Sequence, residues 1–184
     1  MKAAEKSLLT AVRNRLRLAV LAGGAGYADN ECEVEFDELA PATVGHVYVA
    51  VMPGGWAPGP RHKTCGGIND LVYGVDVLVV KRVTHIPRDR KRDVFLNNLD
   101  ALTEEIDKIY SAIDFSYPLL NAANALILAA TGSSEGFMEP LNFAGVDKRP
   151  REVNPELFND VPGKTKAGMA RTIMFHGARR MTHK

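Results

Sequence analysis

Two valine-rich segments between Val44 and Val83 constrain the fold of this chain more than any other feature. The first runs from His46 to Val51 and the second from Leu71 to Val80. Both have the β-branched and aromatic content of half-buried strands. The connection from Pro53 to Gly67 is rich in glycine and proline and too long for a tight turn. We therefore expect a strand pair with an extended hairpin arm, which is more typical of a protein that holds its neighbours than of an enzyme.

Apolar residues at helical spacing predict three helices. The first runs from Ala3 to about Leu21 and the second from Asp93 to Ile113. The third runs from Tyr117 to about Ala130, where Ser116 and Pro118 match the residues that favour a helix start.

The remaining segments predict further strands. Cys32, Val34 and Phe36 alternate with glutamates, which is typical of a half-buried strand on which Cys32 packs as a small hydrophobic residue. Residues 137–143 predict a short edge strand and 170–181 a closing strand. The polar region 146–168 predicts an irregular loop or a second arm.

This order of elements predicts an α+β fold in a single domain, 1–184, with a mostly antiparallel sheet and a long β-hairpin arm. The helices pack on one side of the sheet. Near the end of the second valine segment both faces are apolar, which predicts cover on both sides there.

Charge is unevenly distributed, although the net formal charge is only +1. Acidic residues cluster at 31–38, and basic residues cluster at 88–92 and from Gly163 to the end of the chain. Such poles favour contacts between copies, and a segregated but merely solvated surface is the alternative.

With no apolar run of 18 residues we expect no membrane span, and the opening residues predict no secretion signal. Two cysteines make no disulfide framework, which favours a reducing compartment.

Candidate chemical sites are weak. Gly163-Lys164-Thr165 resembles the end of a phosphate-binding loop but lacks the upstream glycine. His62 and Cys65, with Cys32 and His46, offer four zinc-type ligands without a paired-cysteine spacing. A Cys65 thiolate would need a positioned base, for which a loop His62 is a poor candidate. We predict no catalytic residue, no cofactor and no metal.

Partner contacts are the better candidates. Trp56 lies among glycines and prolines and is expected either to cap its own sheet or, as we favour, to anchor in a neighbour. The basic clusters suit an acidic partner or non-specific contact with DNA, but no interleaved aromatic residues indicate base stacking. Glu104 and Glu105 are interpreted as a solvated helix face. The candidate contact residues are Trp56, Arg88, Arg90, Arg92, Arg171, Arg179 and Arg180.

Three stretches carry a resemblance to a known family. They are the opening helix with Leu8–Leu16, the strand Val75–Arg82 followed by the helix from Asp93, and the closing strand Ala170–Arg180. In this layout the chain resembles the tail terminators and other neck, or tail-completion, proteins of tailed bacteriophages. The likeness is one of layout rather than of a signature motif.

The resemblance implies a virion structural protein, made in the host cytoplasm, that is not an enzyme and does not bind a membrane. It implies a homohexameric ring at the head-proximal end of the tail that caps the tail tube and joins it to neck or connector proteins, with possible DNA contact in the lumen. Residues 53–67 and 146–168 are additional to a minimal terminator, so a different neck, head–tail connector or minor tail component is the runner-up. Two further classes stay open, a metal- or thiol-dependent enzyme and a monomeric binding module.

Overall fold

A computed structural model describes residues 2–18, 26–35, 47–58, 68–83, 91–147, 150–153 and 167–182. The elements in chain order are α1 (Lys2–Leu18), β1 (Cys32–Val34), β2 (Val47–Pro58), β3 (Ile68–Val83), α2 (Lys91–Ile113), α3 (Tyr117–Thr131), β4 (Asn142–Val146), β5 (Arg151–Val153) and β6 (Ala167–Thr182). The three predicted helices and the predicted closing strand are confirmed.

The six described strands form one mixed sheet. Five lie in the order β1-β2-β3-β6-β4, and β5 also pairs with β6. β1 is parallel to β2 and every other described pairing is antiparallel. β3 and β6 pair along their whole length, from Ile68 opposite Thr182 to Val83 opposite Ala167. The predicted α+β class is therefore confirmed.

The main core lies between one face of this sheet and the helices. Alternate residues of β3, including Val75, Val77 and Val79, are fully buried in one cluster with residues of all three helices, such as Leu9, Leu102 and Ile127. Complete burial of one such aliphatic side chain contributes roughly 1.5–3 kcal/mol. The strand alternation and the helical stripes therefore meet in a single core.

The opposite face of the sheet carries a second, smaller cluster. Its described members all belong to strands, and they are Tyr48, Ala50, Met52, Leu78, Val80 and Ala170. Leu78 and Val80 are 4% and 1% exposed, so the prediction that both faces are covered near the end of this strand is confirmed.

The start and end of α3 follow from its caps. The Ser116 hydroxyl accepts a hydrogen bond from the Leu119 N–H at 3.4 Å, and Pro118 lies in the first turn. At the other end Gly132 adopts φ 68°, and its N–H donates to the Leu128 carbonyl. A residue with a Cβ would adopt this left-handed conformation only at a cost, so glycine ends the helix cleanly.

The predicted hairpin arm is not observed over its first six residues. Pro53–Pro58 continue β2, with Trp56 opposite Tyr73 across a register shift that follows Pro53. The strands can pair here because Gly54 and Gly74 lie back to back, where a Cβ on Gly74 would meet the Gly54 carbonyl oxygen at 2.6 Å. Glycine and proline, interpreted as signs of a loop, here form a bulged edge strand. Residues 59–67 of the arm lie outside the described residues.

The predicted edge strand at 137–143 is displaced along the chain. The strand is β4, and Phe137 instead makes one isolated bridge with Arg179. Phe137 and Leu141 are 5% and 3% exposed, because their side chains fill the core while the backbone between them is irregular. In the region predicted as a loop or second arm, β5 pairs with β6, and residues 154–166 lie outside the described part.

Among the described residues, no single helix is long and apolar enough to cross a membrane. Leu96–Ile113 and α3 reach that length and composition only as a pair, which is bent by 64°.

Candidate interaction surfaces

Three aromatic side chains stand exposed beside the edge strand β4, and we call Tyr110, Phe115 and Phe143 the β4 aromatic patch. Their exposed fractions are 40%, 64% and 43%. The Tyr110 and Phe143 rings meet edge to face with centroids 5.3 Å apart, and Phe143 meets the buried Phe175 at 6.1 Å. Exposed aromatic residues in contact with one another are unusual on a solvated surface and mark interaction sites.

The turn between α2 and α3 holds this patch in place. The Asp114 carboxylate accepts a hydrogen bond from the Phe143 N–H at 2.8 Å, and the Phe115 N–H donates to the Leu141 carbonyl at 3.0 Å. These two bonds cover the start of the β4 edge, which would otherwise present free backbone groups. Phe115 has φ 49°, a conformation that is costly for a bulky residue, although its side chain gains little burial. Strain of this kind is typical of functional positions.

An acidic row leads along α2 to the patch. Asp100, Glu104 and Asp107 are exposed and recur at helical spacing, one turn before Tyr110. Asp114 raises the pKa of the Tyr110 hydroxyl by accepting its hydrogen bond and through its negative charge, so this phenol stays neutral. The patch is therefore apolar at its centre and acidic along one side.

Trp56 lies at the opposite edge of the sheet. β1 pairs only with Val49–Val51, so among the described strands β2 forms the outer edge from Met52 to Pro58. Trp56 is 57% exposed on this edge, so its ring is not buried within the core. The prediction that it contacts a partner stays a prediction.

The predicted basic contact residues lie in different environments. Arg179 is only 6% exposed and donates to the Glu135 carbonyl at 3.0 Å, which places it inside the subunit rather than on the expected surface. Arg171 is half-buried and donates to the Asp147 carbonyl. Arg92 belongs to α2 and Arg180 belongs to β6, but the structure describes only the backbone at these two positions. Arg88 and Arg90 lie outside the described residues.

Glu105 corrects the expectation of a solvated acidic helix face. Glu104 is exposed, but Glu105 is 6% exposed and accepts hydrogen bonds from the Tyr27 hydroxyl at 2.9 Å and from the Lys81 and Lys108 ammonium groups at 3.1 Å. Burial raises the pKa of this carboxyl, but the hydrogen bonds from Tyr27, Lys108 and Lys81 outweigh burial and lower it. The carboxylate therefore stays charged and ties α2 to β3 and to the segment after α1.

Cys32 behaves as predicted, as a small buried hydrophobic residue. It is completely buried, and this desolvation raises the pKa of its thiol to about 12, although Arg17 acts in the opposite direction. Arg17 also donates to the Cys32 carbonyl at 2.8 Å and pairs with Asp29 and Glu33, which fixes β1 against α1. Such a thiol is unreactive.

The structure brings together no metal-type cluster among its described residues. No group of three His, Cys, Asp or Glu side chains within that part could hold an ion. Burial and the nearby Asp147 raise the pKa of Asp76, while His176 opposes them, but these three do not form such a group. His46, His62 and Cys65 lie outside the described residues, as does Gly163-Lys164-Thr165.

Sequence reasoning missed the β4 aromatic patch. One signal was present: Tyr110 falls off the apolar stripe of α2, and Phe115 follows shortly after the helix.

No protein-family model matches this chain, and no curated protein matches its sequence. A functional proposal must therefore depend on the chain's own residues and geometry.

Proposed function

We propose that this protein is a tail terminator, a virion structural protein that forms a ring at the head-proximal end of a phage tail, caps the tube and joins it to the neck. The resemblance in layout supports this. Its three stretches belong to α1, to β3 with α2, and to β6, and these elements pack together as the centre of the fold.

The observation that carries the proposal is the exposure of aromatic side chains at both edges of one sheet. Trp56 lies on the β2 edge, and the β4 aromatic patch lies beside the opposite edge strand. An exposed tryptophan at one edge and an aromatic patch at the opposite edge are two different surfaces. Such a pair suits head-to-tail association, which closes into a ring when the rotation between copies allows it.

The mechanism would be geometric rather than chemical. A closed ring presents one face to the last layer of tube subunits, and it leaves no free end on which that layer can continue. The other face of the ring is then available to a neck protein. Basic residues such as those at 88–92 would meet an acidic partner or the phosphates of DNA in the lumen, a contact that needs only lysine and arginine.

Native mass spectrometry and electron microscopy of the purified chain test the proposal. We expect a closed ring, of six copies by the resemblance, that binds the ends of isolated tail tubes and stops their further growth. A chain that stays monomeric at high concentration, with and without tubes, would contradict the proposal. A ring that binds connectors but not tube ends would instead support a place elsewhere in the neck.

A further inference from the structure

We propose that the β2 edge of one subunit's sheet meets the β4 edge of its neighbour's sheet. In this contact Trp56 of one copy packs on the β4 aromatic patch of the next. This inference rests on the proposed ring and names the contact that would close it. The occupant of the patch is a second copy of this chain.

Strand order shows that the contact cannot form within one subunit. β3 and β6 lie between β2 and β4. With neighbouring strands about 4.8 Å apart, the two edges are separated by roughly 14 Å. This distance exceeds the reach of a tryptophan side chain, so Trp56 can contact the β4 aromatic patch only of another molecule.

Strand register places Trp56 and the β4 aromatic patch within two residues of each other along the strands and on the same face. Trp56 lies opposite Tyr73, which in turn lies opposite Gly177, whereas Phe143 lies opposite Phe175, only two residues away along β6. Directly opposed residues of antiparallel strands point to the same face. Both Tyr73 and Phe175 belong to the main core, so Trp56 and Phe143 point to the helical face. A head-to-tail neighbour can therefore bring them together with a shift of only two residues along the strands.

The chemistry of the two sides is complementary. Tryptophan on an aromatic surface is a frequent energetic centre of an interface, and ring pairs contribute beyond the area that they bury. The patch has Asp107 on its flank and Asp114 at its base. The chain from Pro53 to Asn69 contains Arg61 and Lys63 and no acidic residue. This segment of the sequence is therefore opposite in charge to the acidic residues of the patch, and complementary charge favours one orientation of a contact.

Two variants test the contact. Trp56→Ser removes the anchor, and Phe115→Gly with Phe143→Thr removes most of the patch. Phe115→Gly alone is a milder form that relieves the positive φ of this position, so the test does not depend on folding of the double variant. Leu128→Ser is the matched control, because Leu128 is 51% exposed on α3, outside the patch.

We expect either variant alone to lose the ring, while Leu128→Ser keeps it. An equimolar mixture of Trp56→Ser with the patch variant should form heterodimers and nothing larger, because each partner retains one half of the contact. Trp56 is the only tryptophan, so its fluorescence should also shift to shorter wavelength on assembly of the wild-type chain.

These experiments distinguish failure of the Trp56 contact from failure of the proposed ring. A wild-type ring that tolerates both variants, or a mixture that yields no heterodimer, overturns the contact and leaves the proposed function standing. A wild-type chain that is monomeric at every concentration overturns the ring and the contact together. Loss of the ring in Leu128→Ser as well would show a non-specific effect of surface substitution and would also overturn the contact.

Discussion

The carboxylate of Asp114, at the end of α2, accepts a hydrogen bond from the backbone N–H of Phe143 at 2.8 Å. One side chain thus covers part of an exposed sheet edge beside the β4 aromatic patch, where the Tyr110 and Phe143 rings are in contact. Because the bond is made by a charged group to a backbone donor, it is among the stronger hydrogen bonds in proteins.

Substitution of Asp114 tests this arrangement. Asp114→Ala should lower the free energy of unfolding by about 1–2 kcal/mol, because the Phe143 N–H loses its acceptor. Asp114→Asn is the control, since its amide oxygen can still accept the bond, and it should cost less. Urea denaturation of both variants gives the comparison. Equal stability of the wild-type chain and Asp114→Ala would show that water replaces the carboxylate without cost.

Glu105 should be a major determinant of stability. Glu105→Ala removes the acceptor of the Tyr27 hydroxyl and the ionic partner of Lys81, which then keeps only the Ala101 carbonyl as a described acceptor. Removal of one partner from such a buried cluster costs about 3–5 kcal/mol. Glu104→Ala, at the exposed neighbouring position, should cost less than about 0.5 kcal/mol. Chemical denaturation of the two variants at neutral pH measures both effects. Similar losses in the two variants would contradict a special role for the buried carboxylate.

The same carboxylate predicts how stability depends on pH. Its pKa is lowered in the folded protein, so its contribution is complete above the unfolded value of about 4.3 and is lost as the pH falls through the folded value below it. Stability of the wild-type chain should therefore decrease more steeply below about pH 4.3 than that of Glu105→Gln, which cannot titrate there. Denaturation curves from pH 6 to pH 3 make the comparison. Parallel curves for the wild type and Glu105→Gln would refute the prediction.

Cys32 should resist alkylation in the folded protein. It is completely buried and its thiol pKa is raised to about 12, so the reactive thiolate is scarce at pH 8. Peptide mapping after iodoacetamide treatment should find Cys32 unmodified without denaturant and fully modified in urea. Rapid labelling of Cys32 under native conditions would mean that β1 opens readily from the sheet.

Gly74 should not tolerate a side chain. A Cβ at this position would lie 2.6 Å from the Gly54 carbonyl oxygen, a backbone atom that cannot move without disturbing β2. We expect Gly74→Ala to cost about 1–3 kcal/mol, as overpacking does, and to change the fluorescence of Trp56 at the end of the same strand pair. Gly132→Ala is a useful contrast, because no atom lies within 4 Å of its Cβ position and only the φ of 68° is unfavourable. It should lower stability without altering the Trp56 signal.

Local pattern was sufficient to predict the three helices and most of the strands. The stripes of α1 and α2, the Ser116–Pro118 start of α3 and the alternation around Cys32 depend on residues a few positions apart, and the structure confirms each of them. The α+β class follows from their order. These features could be inferred because period, caps and β-branched content are properties of the chain itself.

Tertiary structure alone decided the features that depend on a distant partner. Pro53–Pro58 form a strand because β3 accepts them, and Phe137 fills the core while its neighbours do not pair as expected. Glu105 is buried because Lys81 and Tyr27 donate hydrogen bonds to it from other elements. Arg179 is buried beside the Glu135 carbonyl, which accepts a hydrogen bond from its guanidinium. The β4 aromatic patch exists because a turn and a strand about 29 residues apart in the chain share one hydrogen bond. Burial and strand pairing depend on contacts between segments that are distant in the sequence, so local sequence patterns do not reveal them.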